Sequence, residues 1–181
     1  IRSYPNGGLV NQSFIWSAKC DVRLDNLQTA EKTLKYLLEE KKLTKKEKAL
    51  AYLTYAEIKI KTKNYQEATD YLEGFLGLNQ DRDSRARVYF ILGQLYERLE
   101  KGDKALDNYE KVIKSNPEYE MSFRASLNKA NSYGFSSGNS TVLLKEYYKI
   151  LKDVKNKDYR DQIYFAIAEI KLNDKDTISA I

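Results

Sequence analysis

A chain of 181 residues with 42% apolar and 31% charged side chains can form one ordinary domain or a short array of repeats. It has no histidine and a single cysteine, which excludes Cys/His zinc sites, Ser-His-Asp and Cys-His nucleophile systems, and an internal disulfide. A net charge of +5 is mildly basic, far from the profile of a nucleic-acid-binding tail, and no apolar run approaches the ~20 residues a membrane span needs.

The composition is that of a helical protein, poor in Pro and Gly and rich in Lys, Glu, Leu, Ala and Tyr. Residues 1–8 carry the breakers Pro5, Asn6, Gly7 and Gly8 and read as a turn. A first helix is expected over 9–23, with Phe14, Ser17, Ala18 and Asp21 inward, and a bend at Asp25-Asn26. A second follows over 27–40, with Ala30, Leu34 and Leu37 on one face. The next pair places Tyr52, Tyr55 and Ala56 on its first helix, turns at Lys63-Asn64, and places Ala68, Leu72 and Phe75 on its second.

Residues 84–119 are the clearest copy. Tyr89, Leu92, Gly93 and Tyr96 fall at i, i+3, i+4 and i+7, and Ala105, Tyr109 and Val112 share a face of the following helix. Gly93 and Ala105 are small, so the two helices can approach closely, and Pro117 stops the second. A fourth pair has Phe123, Leu127 and Ala130, then a Gly/Ser-rich stretch at 132–141 expected to be a surface loop capped by Asn139, Ser140 or Thr141. Its second helix is expected over 142–154 with Leu144, Tyr148 and Leu151 inward, and a turn at 156–158. A fifth pair places Tyr164, Ile167 and Ala168 inward, with Ala180 as the small anchor of a truncated partner.

The small anchors recur at Ala30, Ala68 and Ala105, intervals of 38 and 37 residues. Together with the aromatic and small-residue spacing of 84–119, this resembles the tetratricopeptide repeat (TPR), a helix pair of about 34 residues. The fold expected is all-α, a right-handed superhelix of about five TPR-like hairpins in one domain, with repeats at 9–43, 44–83, 84–118, 119–158 and 159–181. The first and last residues read as pieces of further repeats, so the chain is expected to be a fragment of a longer array.

The expected function is protein binding, without catalysis and without cofactor or metal. Carboxylates such as Glu39, Asp81, Asp83, Glu118 and Glu120 lie among lysines, as on a solvated surface. The basic cluster Lys41, Lys42, Lys45, Lys46 and Lys48 lacks stacking aromatics and reads as a solvated turn, so no nucleic-acid partner is expected. Cys20, two residues after Ala18, is expected to pack between helices.

In a TPR superhelix the first helix of each pair lines the concave face. The register places Trp16, Lys19, Arg87, Phe90, Gln94, Arg124, Asn128, Asn131 and Phe165 there as candidate protein-binding residues, with Ile15, Leu53, Thr54, Glu57, Ile91 and Glu169 beside them. Arg124 and Asn128 resemble half of the carboxylate clamp of chaperone-binding TPR proteins, but Ala166 stands where that clamp needs Asn.

Two stretches go beyond the repeat pattern: 85–123, which ends in NPEYEMSF at 116–123, and 152–166, with KNKDYRDQIYFA at 155–166, together with the Gly/Ser-rich stretch between them. They resemble the SprE/PorW family of Bacteroidota TPR lipoproteins of gliding motility and type IX secretion. That resemblance implies a periplasmic scaffold tethered to the outer membrane by a lipid upstream of these residues, with other envelope secretion components as partners. The other reading is a cytoplasmic adaptor that binds peptides in its groove.

Overall fold

A computed structural model describes residues 9–137 and 140–174, which form nine α-helices and one short 3₁₀ helix, with no strand among them. The all-α architecture of paired helices is therefore as expected. The turn expected at 1–8, the Asn139 cap and Ala180 lie outside the described residues. The chain divides into two compact units, Ile1–Val88 and Tyr89–Ile181.

The first unit holds α1 (Val10–Arg23), α2 (Leu27–Glu40), α3 (Lys45–Lys61), α4 (Tyr65–Leu78) and the start of α5 (Arg82–Arg98). Its core joins Ala30, Leu34 and Leu37 of α2 to Ala51, Tyr55 and Ile58 of α3 and to α1. Ala68, Leu72 and Phe75 bury the inner face of α4, which packs on α3. Thr44 starts α3 with a reciprocal capping box: its hydroxyl accepts from the Glu47 N–H, and its own N–H donates to the Glu47 carboxylate at 2.8 Å. Arg85 of α5 donates to the carbonyls of Leu76 and Asn79, which the end of α4 leaves without helical partners.

The buried stripe of α1 corrects the sequence reading. Ile15, Ala18 and Val22 are fully buried, whereas Phe14 is half-buried and Ser17 is exposed. A TPR register forced onto this helix would bury polar Ser17 and Asp21; the apolar i, i+3, i+7 stripe wins instead. Ile15 is thus core rather than groove, and so is Thr54, whose hydroxyl donates to the Leu50 carbonyl at 2.9 Å. Cys20 is exposed, not packed, because it sits roughly opposite Ala18 on the helix wheel.

The second unit continues with the rest of α5, then α6 (Gly102–Lys114), α7 (Tyr119–Ser137), α8 (Ser140–Lys152), a 3₁₀ helix (Val154–Tyr159) and α9 (Arg160–Asn173). Phe123 and Ala130 of α7, Tyr147 of α8, and Ile163 and Ile167 of α9 share one core. Residues 132–137, expected as loop, continue α7. Ser132 is buried and donates to the Glu97 carboxylate at 2.6 Å, a tertiary bond that composition cannot reveal. In α8 the inward residue is Tyr147, and Tyr148 is 40% exposed; in α9 Ile163 is buried and Tyr164 is 56% exposed. Leu144 and Leu151 pack against this core and Ile167 is buried in it, as expected, so only Tyr148 and Tyr164 give way, each to the residue before it.

The bend inside a hairpin repeats in detail. Asp25, Lys63 and Glu100 all have positive φ, 63°, 60° and 57°. After each, a backbone N–H reaches five residues back, Asn26 to Asp21, Asn64 to Lys59 and Lys101 to Tyr96, all at 2.8 Å. This is the Schellman closure of a helix C-terminus. Each left-handed residue precedes its small anchor, Ala30, Ala68 or Ala105, by the same five residues. The 38- and 37-residue spacing of the sequence is therefore the spacing of identical bends.

Candidate functional site

The first unit carries a cleft of about 690 Å³ built by three helices. Its floor is a stripe on α3, Lys48, Tyr52, Tyr55 and Lys59, spaced i, i+4, i+7 and i+11. One wall is the α2 stripe Gln28, Glu31, Lys32, Lys35, Leu38 and Glu39, and the other is Glu67 and Tyr71 of α4.

Three tyrosines give the floor its shape. The rings of Tyr55 and Tyr71 stack at 4.4 Å and 15°, and Tyr52 meets Tyr71 edge-on at 5.7 Å. Tyr55 is core, 6% exposed, while Tyr52 and Tyr71 are half-buried and offer ring surface to the cleft. Burial, followed by the neighbouring Tyr71 and Glu31, pushes the Tyr55 hydroxyl up to about 12. Burial likewise raises Tyr71.

Lys59 is 9% exposed at the bottom. Its ammonium reaches Glu31 of α2 at 2.8 Å and Glu67 of α4 at 2.9 Å, and lies 5.7 Å from the centre of the Tyr55 ring. The hydrogen bond to Glu31, then that to Glu67, holds its pKa above the ordinary lysine value, so it stays charged. A lysine thus ties the two walls to the floor. The signal was in the sequence: a cation four residues after Tyr55, continuing the Tyr52–Tyr55 stripe.

The residues predicted to line a groove are distributed as follows. Trp16 is 55% exposed on α1, with the Lys19 ammonium 4.6 Å from its ring centre. Arg87 and Gln94 stand exposed on α5, and Phe165 is 66% exposed on α9. Arg124 is exposed and held by Glu120 on its own helix, at 2.7 Å. Asn131 accepts from the Tyr147 hydroxyl at 2.7 Å.

Phe90 and Asn128 converge on one buried residue, Tyr109. Phe90 meets its ring edge-on at 5.8 Å, and the Asn128 amide donates to its hydroxyl at 3.4 Å. That hydroxyl in turn donates to Glu97 at 2.9 Å. Burial and then the Glu97 carboxylate raise the Tyr109 pKa. Phe90 and Asn128 are therefore half-committed to the hairpin core.

No helix among the described residues is long and apolar enough to cross a membrane, and no group of three or more His, Cys, Asp or Glu side chains among them is placed to hold a metal.

Comparison with known proteins agrees with the fold. Two solved structures, MamA AMB-1 in its P212121 form and MamA MSR-1 in its C2 form, are similar at TM-scores of 0.64 and 0.62. The first is 15% identical and the match covers 97% of this chain and 88% of that one; the second is 14% identical and covers 96% and 91%. At such identity the likeness shows the fold alone. No match is found among curated protein sequences. The tetratricopeptide repeat model matches residues 49–82 and 86–119, so the chain carries TPR repeats across α3–α4 and α5–α6.

Proposed function

We propose that this chain is a non-catalytic protein-binding scaffold of the bacterial cell envelope, acting in a type IX-like secretion and motility machine and carried at the outer membrane on the periplasmic side. The TPR repeats support protein partners as a class. The single structural observation behind binding is the cleft of the first unit, where tyrosine ring surface is presented on a rigid floor rather than spent on the core. Its reactive groups are poor catalysts: Lys59 is held charged between two carboxylates, and burial keeps Tyr55 protonated.

The envelope context rests on the strings at 116–123 and 155–166. The structure gives these segments structural work as well. Tyr119 donates to Asn156, and Asn156 donates to the Ile150 carbonyl at 2.6 Å, so the two strings meet at one buried amide. Affinity capture under cross-linking from the envelope fraction of a type IX-secreting bacterium tests the assignment. Recovery of secretion or outer-membrane components is expected; recovery of cytosolic proteins alone would overturn the compartment.

A further inference from the structure

We infer that the cleft between α2 and α4 is a docking site for an acidic segment of a partner protein. The inference rests on the scaffold reading and adds the site and the chemistry of what it takes.

The charges lining the cleft do not cancel where a ligand would meet them. Every carboxylate in the lining is already engaged: Glu31 and Glu67 by Lys59, and Glu39 by Lys35 at 3.9 Å. Two exposed lysines of the lining, Lys32 and Lys48, form no ion pair with a carboxylate among the described residues. Lys48 instead lies over the Tyr52 ring, 5.5 Å from its centre. Four lysines against three carboxylates leave the lining a net charge of +1, and its two cations without a carboxylate partner, Lys32 and Lys48, stand exposed beside the ring faces.

A cationic ligand would have to compete with Lys48 and Lys59 for the tyrosine rings. An acidic one meets Lys32 and Lys48 directly and can lay an apolar side chain on Tyr52 and Tyr71. The volume, about 690 Å³, suits a few side chains of an extended segment rather than a whole helix. Lys59 cannot serve as the anion's partner without giving up Glu31 or Glu67, so the rim lysines set the preference.

Selection of a random peptide library displayed on phage against the full chain tests this. Peptides enriched in Asp and Glu beside an aromatic or aliphatic residue are expected. The Lys32→Glu/Lys48→Glu variant is expected to lose them by tenfold or more in recovery and to favour Lys and Arg instead. The Lys42→Glu/Lys157→Glu variant, with the same net charge but both changes outside the cleft lining, is expected to select as the parent does. Far-UV circular dichroism establishes that each variant folds, and Lys32→Gln/Lys48→Gln, which adds no repulsion, is expected to lose the acidic preference as well.

No acidic enrichment, unchanged selection by Lys32→Glu/Lys48→Glu, or an equal loss in the control variant would overturn the inference. If Lys32→Glu/Lys48→Glu still cross-links to protein partners as the parent does, the cleft assignment fails and the scaffold reading stands. If neither captures a protein, the scaffold reading fails too.

Discussion

The ring of Tyr109 fills the space that a side chain at Gly93 would need. A Cβ at position 93 would lie 2.5 Å from Cε1 and 2.7 Å from Cζ of that ring. The ring cannot swing aside, because it is fully buried, its hydroxyl is held by Glu97 and Phe90 abuts its edge. Gly93→Ala is therefore expected to destabilise the protein by about 1–3 kcal/mol through overpacking, in spite of alanine's better helix propensity. Gly77, near the end of α4, has nothing within 4 Å of its would-be Cβ. Gly77→Ala is expected to stabilise by about 0.5–1 kcal/mol. Urea unfolding of both variants should show shifts of opposite sign; shifts of one sign would contradict the packing described.

Lys63 closes the α3–α4 bend in the left-handed region at φ 60°. A side chain there crowds the following carbonyl, and glycine does not. Lys63→Gly is expected to raise stability by about 0.5–1 kcal/mol, an unusual sign for a change to glycine. A fall in the urea midpoint would mean that this bend is not left-handed.

Removing the cation at the floor of the cleft should cost more than its count of contacts suggests. Lys59→Met leaves Glu31 and Glu67 without their shared partner. A loss of about 1–2 kcal/mol is expected, smaller than for a fully buried pair because both carboxylates reach solvent. Adding Glu31→Gln and Glu67→Gln should recover part of it. If the triple variant is less stable than Lys59→Met, the two carboxylates do not depend on the lysine.

The alkaline limb of stability follows from the same residues. Tyr55 has an ordinary value of 10.0 when unfolded and about 12 when folded, and the Tyr71, Tyr109 and Lys59 values are raised as well. A raised folded pKa contributes stability that is fully present below the unfolded value and lost as pH rises through the folded one. Stability should thus hold from neutrality to about pH 10 and fall above it, with the share of Tyr55 lost between about 10 and 12. Tyr55→Phe keeps the stacking ring but removes one titrating hydroxyl. Its slope above pH 10 should be shallower by up to ~1.4 kcal/mol per pH unit. Parallel slopes for parent and variant would contradict the burial of this hydroxyl.

Much of the hairpin plan was legible because TPR spacing records a packing distance. Ala30, Ala68 and Ala105 are all fully buried, as their common register implied, and α2 spans the expected Leu27–Glu40. The misplaced inward residues have one physical origin. Analogy between copies gives one register for every repeat, whereas burial follows the apolar stripe of each helix. Hence Ile15 displaced Phe14, Tyr147 displaced Tyr148, and Ile163 displaced Tyr164. The extension of α7 through 132–137 was illegible for a different reason: Ser132 is held by Glu97, far away in sequence, against its local preference for a loop. The cleft is not legible in the sequence because Tyr52 and Tyr55 satisfy the repeat pattern as core, whereas in the fold Tyr52 and Tyr71 are only half-buried and line the cleft.

The central claim is that these helix pairs hold other polypeptides. It is tested most directly by photo-cross-linking in cells, with a benzophenone side chain placed at Lys35 on the cleft rim, and at Trp16 and Phe165 on the exposed faces of α1 and α9. The account predicts a protein adduct from position 35 that disappears when Lys32 and Lys48 are both changed to Glu. Failure of all three positions to trap any polypeptide, with the variants folded and present at the parent's level, would contradict it.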